Sequence, residues 1–199
     1  MSIRKARAAR AVLALIVGCV VTASLPAAAS AATCPDVEPV SQPFLDQGDD
    51  LYYFLAPGGD FEQSSGPSWR VDGNWNTAKW LNPFEYAGHR SLVLDGATAT
   101  SPAVCVDNTR PLMRLGARIL ADYKLPDARL AVAAVLPDGS AVPLGELPAA
   151  DFSSFGWTPQ IPLAPLLAIA DGESVNVQLR FTARGRWGID GISIDPYRH

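Results

Sequence analysis

The chain has little of what catalysis usually needs. Of its 199 residues only two are histidines, His89 and His199. No G-x-S-x-G elbow and no H-E-x-x-H helix motif occurs, so the common serine-hydrolase and zinc-peptidase readings fall away. His89, between Gly88 and Arg90, reads as a turn residue and not as a base. Two facing carboxylates can hydrolyse a glycosidic bond, and 20 acidic residues leave a small glycoside hydrolase open without selecting any pair. The expectation is a protein that is not an enzyme. Positive charge is also scarce. The basic residues number 16 against those 20 acids, a net charge of −4, and an acidic surface repels phosphate backbones, which argues against nucleic acid as a partner.

Long helical patterns, internal repeats and low-complexity tracts are absent too, and the longest apolar run is short. It lies at the start. Arg4, Lys5, Arg7 and Arg10 precede the apolar stretch Ala11–Val21, and small residues follow at 27–31. That order is a secretory signal peptide, with cleavage expected near Ala29 or Ala31. Ser24 and Pro26 interrupt the run, so no transmembrane span is expected. A rival reading takes Ile16-Val17-Gly18-Cys19 as a lipoprotein signal with a lipid anchor on Cys19. Val20-Val21 stays apolar where such chains turn polar, which weighs against it. Removing the leader leaves 12 basic residues and all 20 acids, a charge of about −8. The expected organisation is a leader over 1–31, a segment over 32–50 and one domain over 51–199, in a secreted, extracellular protein.

Cysteine is scarce as well, at 3 residues. After the leader two remain, Cys34 and Cys105, and an even pair in an exported chain reads as one disulfide tethering the 32–50 segment. The alternative is two free thiols doing chemistry, for which no histidine stands nearby.

Strand signals fill the remainder. Val175, Val177, Leu179 and Phe181 alternate with Asn176, Gln178, Arg180 and Thr182, a strand with one wet face. Met113–Ile119 alternates similarly, although Leu112, Leu115 and Ile119 also fit a helical face; Pro111 and Gly116 favour the strand. Pro137-Asp138-Gly139 between 129–136 and 140–144 marks a hairpin. Shorter strands are expected at 51–55 and at 91–94, the second ending at Asp95-Gly96. The last strand spans 187–194, and its alternation slips at Gly191, where a bulge would reconcile the two phases. Prolines 148, 159, 162 and 165 confine the stretch 147–169 to a loop or a sheet edge. About eight short strands with turn signals point to an all-β sandwich.

Two segments carry a resemblance. Gly58-Gly59-Asp60-Phe61-Glu62 with Trp69, and Trp187-Gly188-Ile189-Asp190-Gly191-Ile192-Ser193-Ile194-Asp195 near the C-terminus, resemble the early N-G-x-F-E and late I-D-D-V segments of jelly-roll carbohydrate-binding modules with a galactose-binding-like fold. The resemblance implies that the two segments lie side by side and that Phe61 and Trp69 are core. It also implies Glu62 and Asp190 as candidates to hold a structural calcium; that ion takes six to eight oxygens, and Asp60 is a further side chain that could supply one. Gly58 stands where the family has asparagine, and Gly191 where it often has a second acid. Strand alternation offers a plainer reading, with Asp60 and Glu62 facing solvent on either side of a buried Phe61.

A sugar site needs aromatic faces for pyranose rings and polar groups for hydroxyls. The richest source is 69–86, with Trp75, Trp80, Phe84 and Tyr86 among polar neighbours. Its alternation is poor, which suggests loops. Trp157 is a second source, and Trp187 is assigned to the core with Trp69. The expected ligand-binding set is Trp75, Trp80, Tyr86 and Trp157. The expected function is a non-catalytic module for a cell-wall or environmental polysaccharide or glycan; the alternative is an exported structural or protein-interaction sandwich with no sugar ligand.

Overall fold

The computed structural model describes residues 34–35, 41–62, 68–79, 81, 88–121, 127–170 and 172–195. The leader, Cys19, Trp80, Tyr86 and His199 lie outside them. The described residues belong to one compact unit, Ala31–His199. Among them no helix is long and apolar enough to cross a membrane.

Among the described residues ten strands make one continuous antiparallel sheet: β1 (Phe54–Leu55), β2 (Arg70–Lys79), β3 (Arg90–Asp107), β4 (Leu112–Ala121), β5 (Arg129–Val135), β6 (Ala141–Pro148), β7 (Gly156–Trp157), β8 (Ile161–Pro162), β9 (Ser174–Arg184) and β10 (Arg186–Asp195). One short helix, α1 (Pro165–Ala170), precedes β9. The sheet curls over a single core and so forms a β-sandwich whose two leaves share long strands.

The corner is built around β3. Leu92–Asp95 pair with β10, whereas Thr98–Asp107 pair with β9. β9 and β10 part company at Gly185, whose carbonyl accepts the Gly96 N–H at 3.2 Å. Asp95-Gly96 is therefore not the strand-ending turn that the dipeptide suggested. Gly96 has φ 62° and is an extra residue inside an 18-residue strand. The same chemistry that makes a turn here makes a bulge, and the bulge redirects β3 from one leaf to the other. One leaf runs β2-β3-β10-β4, with β7 and β8 on the outer edge of β4 and β1 on β10; the other runs β2-β3-β9-β5-β6.

The alternation in β9 is that of a one-sided strand, with Val175, Val177, Leu179, Phe181 and Ala183 buried and the intervening residues wetter. β4 is a strand over its whole length. The β5–β6 hairpin turns at Pro137-Asp138-Gly139, where Gly139 takes φ 86° and the Asp138 carboxylate accepts the Ser140 N–H and hydroxyl. In β10 the register slips between Asp190 and Ser193, with Gly191 at φ 56°, so Trp187, Ile189, Ile192 and Ile194 all reach the interior. The proline-rich stretch supplies edges: a 3₁₀ turn (Ala149–Phe152), then β7 and β8 on β4.

The disulfide joins Cys34 and Cys105, with an S–S distance of 2.03 Å. Segment 41–53 packs into the sandwich through Phe44 and Tyr53, both fully buried with their rings edge-to-face at 4.6 Å.

Candidate functional site

Among the described residues, an opening lies where β2 overhangs the core. β2 pairs with β3 alone among the described residues, so it is an edge to both leaves. Cross-strand partners point to the same side of a sheet. Val71 is opposite Ala99, Trp75 opposite Leu94 and Thr77 opposite Leu92, and those three partners are buried in the core. Val71, Trp75 and Thr77 therefore face inward, yet the far leaf does not cover all of them. Trp75 is left 50% exposed. The sequence reading put such rings in loops; a strand exposed on both faces simply has no burial alternation to read.

The space beneath Trp75 is a groove of about 590 Å³, a volume ordinary for a small-molecule site. Val71, Leu55 and Leu92 form its floor, and Trp75, Thr77 and Arg90 one wall. The opposite wall is the turn after β1, from Ala56 to Glu62, with Ser68 and Trp69. Arg90 holds its guanidinium against Thr77 through an Nη1–H donated to Oγ1 at 3.3 Å.

That turn is not the strand that its hydrophobic pattern suggested. It is a tight turn docked on the bulge of β10. Ala56 N–H donates to the Ile192 carbonyl at 2.8 Å, and Ile192 N–H to the Gly59 carbonyl at 3.2 Å. The two segments expected to lie side by side do so. A Cβ on Gly59 would stand 3.0 Å from the carbonyl oxygens of Ala56 and Ile192, which explains the glycine. Gly58 takes φ 64°, a conformation that asparagine also tolerates. Phe61 has φ 52°, the one non-glycine with positive φ among the described residues. For a bulky side chain this conformation costs about 1–2 kcal/mol, and such strain gathers at ligand clamps. Phe61 is held there by Trp69, with ring centroids 5.2 Å apart, and Trp69 packs on Phe181 at 5.7 Å and donates its Nε1–H to the Pro57 carbonyl at 3.1 Å. Phe61 and Trp69 pack against the core and at the same time line the groove, so both are half-buried where full burial was expected.

The three acids considered for calcium have other partners. Glu62 Oε1 accepts the backbone N–H groups of His89 and Arg90, pinning the turn to the start of β3. Gly88 allows this approach, because a Cβ there would sit 2.5 Å from Glu62 Cγ. Asp60 Oδ1 accepts the Glu62 N–H at 3.3 Å. Asp190 accepts the Ser91 hydroxyl at 3.0 Å and the Gly191 N–H at 2.8 Å. Ser91 alternates with Arg90 and Leu92, so Asp190 is on the far side of the leaf from the groove. Among the described residues no three His, Cys, Asp or Glu side chains gather to hold a metal ion. The donor set does not fit one calcium shared by Asp60, Glu62 and Asp190.

Trp157 is at the other margin of the same leaf. It sits on β7, opposite Gly116 of β4, edge-to-face with Phe44 at 4.9 Å and with Phe155 at 6.2 Å. Behind it lies a buried polar network that sequence reasoning missed, since its members are far apart in the chain. Arg114 Nη1 pairs with Asp49 at 2.9 Å, its guanidinium lies over the Phe44 ring at 4.1 Å, and its Nε–H donates to the Thr158 carbonyl. Tyr53 donates its hydroxyl to Asp49 at 2.7 Å. Burial pushes the Asp49 carboxyl up, but hydrogen bonds from Tyr53, Leu51, Arg114 and Gln160 outweigh it and hold the group below the usual carboxylate range. Burial, then Asp49, pushes the Tyr53 hydroxyl well up. Asp195 is 1% exposed, and its Oδ2 has no hydrogen-bond partner among the described residues. Burial, with the nearby negative Asp49, pushes its carboxyl up to about 6. Trp157 thus packs, partly buried, in an aromatic cluster beside this network, and Trp75 borders an open groove.

No protein-family model matches the chain, and no curated protein matches it. Solved structures similar to it include carbohydrate-binding modules. One is the CBM22-1 xylan-binding domain of Xyn10C from Paenibacillus barcinonensis, at 12% identity, covering 70% of this chain and 92% of that one with a TM-score of 0.47. Another is the C-terminal CBM6 of LamC from Zobellia galactanivorans, at 14% identity, 61% and 99% coverage and a TM-score of 0.38. The K1 cleaved adhesin domain of Lys-gingipain from Porphyromonas gingivalis matches at 13% identity, 64% and 89% coverage and a TM-score of 0.43. With TM-scores below 0.5 these likenesses carry no argument about the groove, whose chemistry is read from its own residues.

Proposed function

We propose that the chain is a glycan-binding module, exported from the cell, whose ligand lies in the groove under β2. The observation that carries this reading is Trp75. A tryptophan kept half-exposed on the inward side of an edge strand offers a flat face at a groove mouth, and a pyranose ring presents a matching face of C–H bonds. Trp69 and Phe61 supply further aromatic surface in the opposite wall. Arg90, Thr77, Ser68, Asp60 and Glu62 supply the polar groups that hydroxyls require. A few polar groups set among aromatic and aliphatic ones is the usual composition of such sites.

The experiment is a glycan-array or polysaccharide pull-down with the protein lacking its leader, read alongside tryptophan fluorescence. Binding with a change in fluorescence, lost in Trp75→Ala, is the expected outcome. A folded protein that retains no glycan would overturn the reading. The competing reading is a protein partner that adds a strand to β2, favoured by the ten-residue edge. Against it stand Arg70, Asp72 and Lys79 and the register shift at Gly73, features with which edge strands resist such pairing.

A further inference from the structure

A second, smaller recess lies on the other side of β2, and its lining is unlike that of the groove. It has a volume of about 90 Å³ and is bordered by Asn74, Asn76, Asp95, Arg186, Val93 and Trp75. The strand pairing explains why these residues meet. Asn74 is opposite Asp95, Asp95 is opposite Arg186, and Asn76 is opposite Val93, so all five non-aromatic members share the outer face of the leaf. Trp75, between the two asparagines, borders both this recess and the groove.

The donors and acceptors are held apart. Asp95 and Arg186 are cross-strand neighbours of opposite charge, yet among the described residues they form no ion pair within 4.0 Å. Asn74 reaches Asp95 only at 3.4 Å, a long bond. A guanidinium, two carboxamides and a carboxylate around a small space suit a group that both donates and accepts, which is what a sugar hydroxyl does. The space takes the hydroxyl edge of one sugar residue, and too little apolar surface lines it to hold a whole ring.

We propose that the ligand is bound as a chain that crosses, at Trp75, the edge of β2 that no described strand pairs with, with one sugar residue in the groove and a later one presenting its hydroxyls to Asn74, Asn76, Asp95 and Arg186. This rests on the groove being a glycan site. The module then recognises the interior of a polysaccharide more tightly than a short end, because only a chain spans both faces of the strand.

The test uses cello-, xylo-, manno- and laminari-oligosaccharides from disaccharide to hexasaccharide, titrated calorimetrically into the protein lacking its leader. In a series that binds, affinity is expected to rise roughly tenfold between trisaccharide and hexasaccharide. Asn76→Ala and Arg186→Gln should each remove most of that rise and leave trisaccharide binding intact, whereas Trp75→Ala should weaken both. Equal affinity for all lengths, or variants that lower trisaccharide and hexasaccharide binding alike or neither, overturns the second subsite while leaving the groove in place. Absence of binding in all series and on the glycan array removes the groove as well.

Discussion

The two margins of one leaf hold two aromatic clusters with opposite fates. At the β4 margin Trp157, Phe44 and Tyr53 close over Arg114, Asp49 and Asp195. At the β2 margin Trp75, Trp69 and Phe61 surround open space. Both clusters are rings beside charged groups on an antiparallel sheet. The difference is what covers them. The 41–53 segment lies over the β4 margin, tied by the Arg114–Asp49 pair; among the described residues, those of the turn after β1 line a groove with Trp75 and leave its ring half-exposed. A ring serves stability where another segment reaches it, and is available to a ligand where no described residue covers it.

The largest expected effects are on stability, and the first tests the closed margin. Arg114→Ala leaves the part-buried Asp49 without its cation; breaking a fully buried pair from one side costs about 3–5 kcal/mol, so a loss at or below the low end of that range is expected, a fall of several degrees in a thermal melt. A melt within a degree or two of the wild type would mean that the network is not holding the margin shut. Next is the crosslink. Cys105→Ser opens a loop with a sequence separation of 71 residues, for which the chain-entropy model gives an effect of about 4 kcal/mol, an upper figure. Unreduced peptide mass spectra should show the Cys34–Cys105 link in the wild type, and free thiols on both would remove it.

A smaller effect has a sign that can be worked out. Asp195 has a folded pKa pushed up to about 6 from 3.8, so the folded state holds the proton more tightly than the unfolded chain. Its contribution to stability is complete below about pH 4 and is lost as pH rises through 6. Asp49 acts oppositely: its lowered pKa contributes stability that is lost as pH falls through the acid range below 4. Asp195→Asn should therefore stabilise the protein at pH 7 by roughly 2 kcal/mol and nearly nothing at pH 4. Wild-type and variant melts that differ equally at both pH values would show that Asp195 is not the group titrating.

Much of the scaffold was legible because burial leaves a period in the sequence. The alternation through Val175 and Phe181 is β9, Pro137-Asp138-Gly139 is the hairpin, and the slip at Gly191 is the bulge of β10. The groove was not legible, for a related reason. β2 is wet on nearly every residue, so no pattern marked it as a strand or gave Trp75 a side. Phe61 and Trp69 looked like core, and a one-dimensional pattern cannot say that a ring packs with one face and lines a groove with the other. Arg114 and Asp49 lie 65 residues apart, and no local signal joins them. Asp-Gly at 95–96 is equally good turn and bulge chemistry, and only the partners on either side of β3 decide between them.

The smallest stability effect belongs to the open margin, and that is what gives it meaning. Trp75 is half-exposed on an edge strand, so Trp75→Ala forfeits little buried area and should move the melt by no more than a degree or two. Its effect on glycan binding should be at least tenfold, since loss of a stacking face removes both contact area and orientation. Trp157→Ala should do the reverse, with a melt several degrees lower and glycan affinity unchanged once the protein is folded, because its ring is spent on Phe44 and Phe155. If Trp157→Ala also lost binding with no change in the melt, the division between the margins would fail, and the ligand would have to be sought along the whole leaf from β2 to β7.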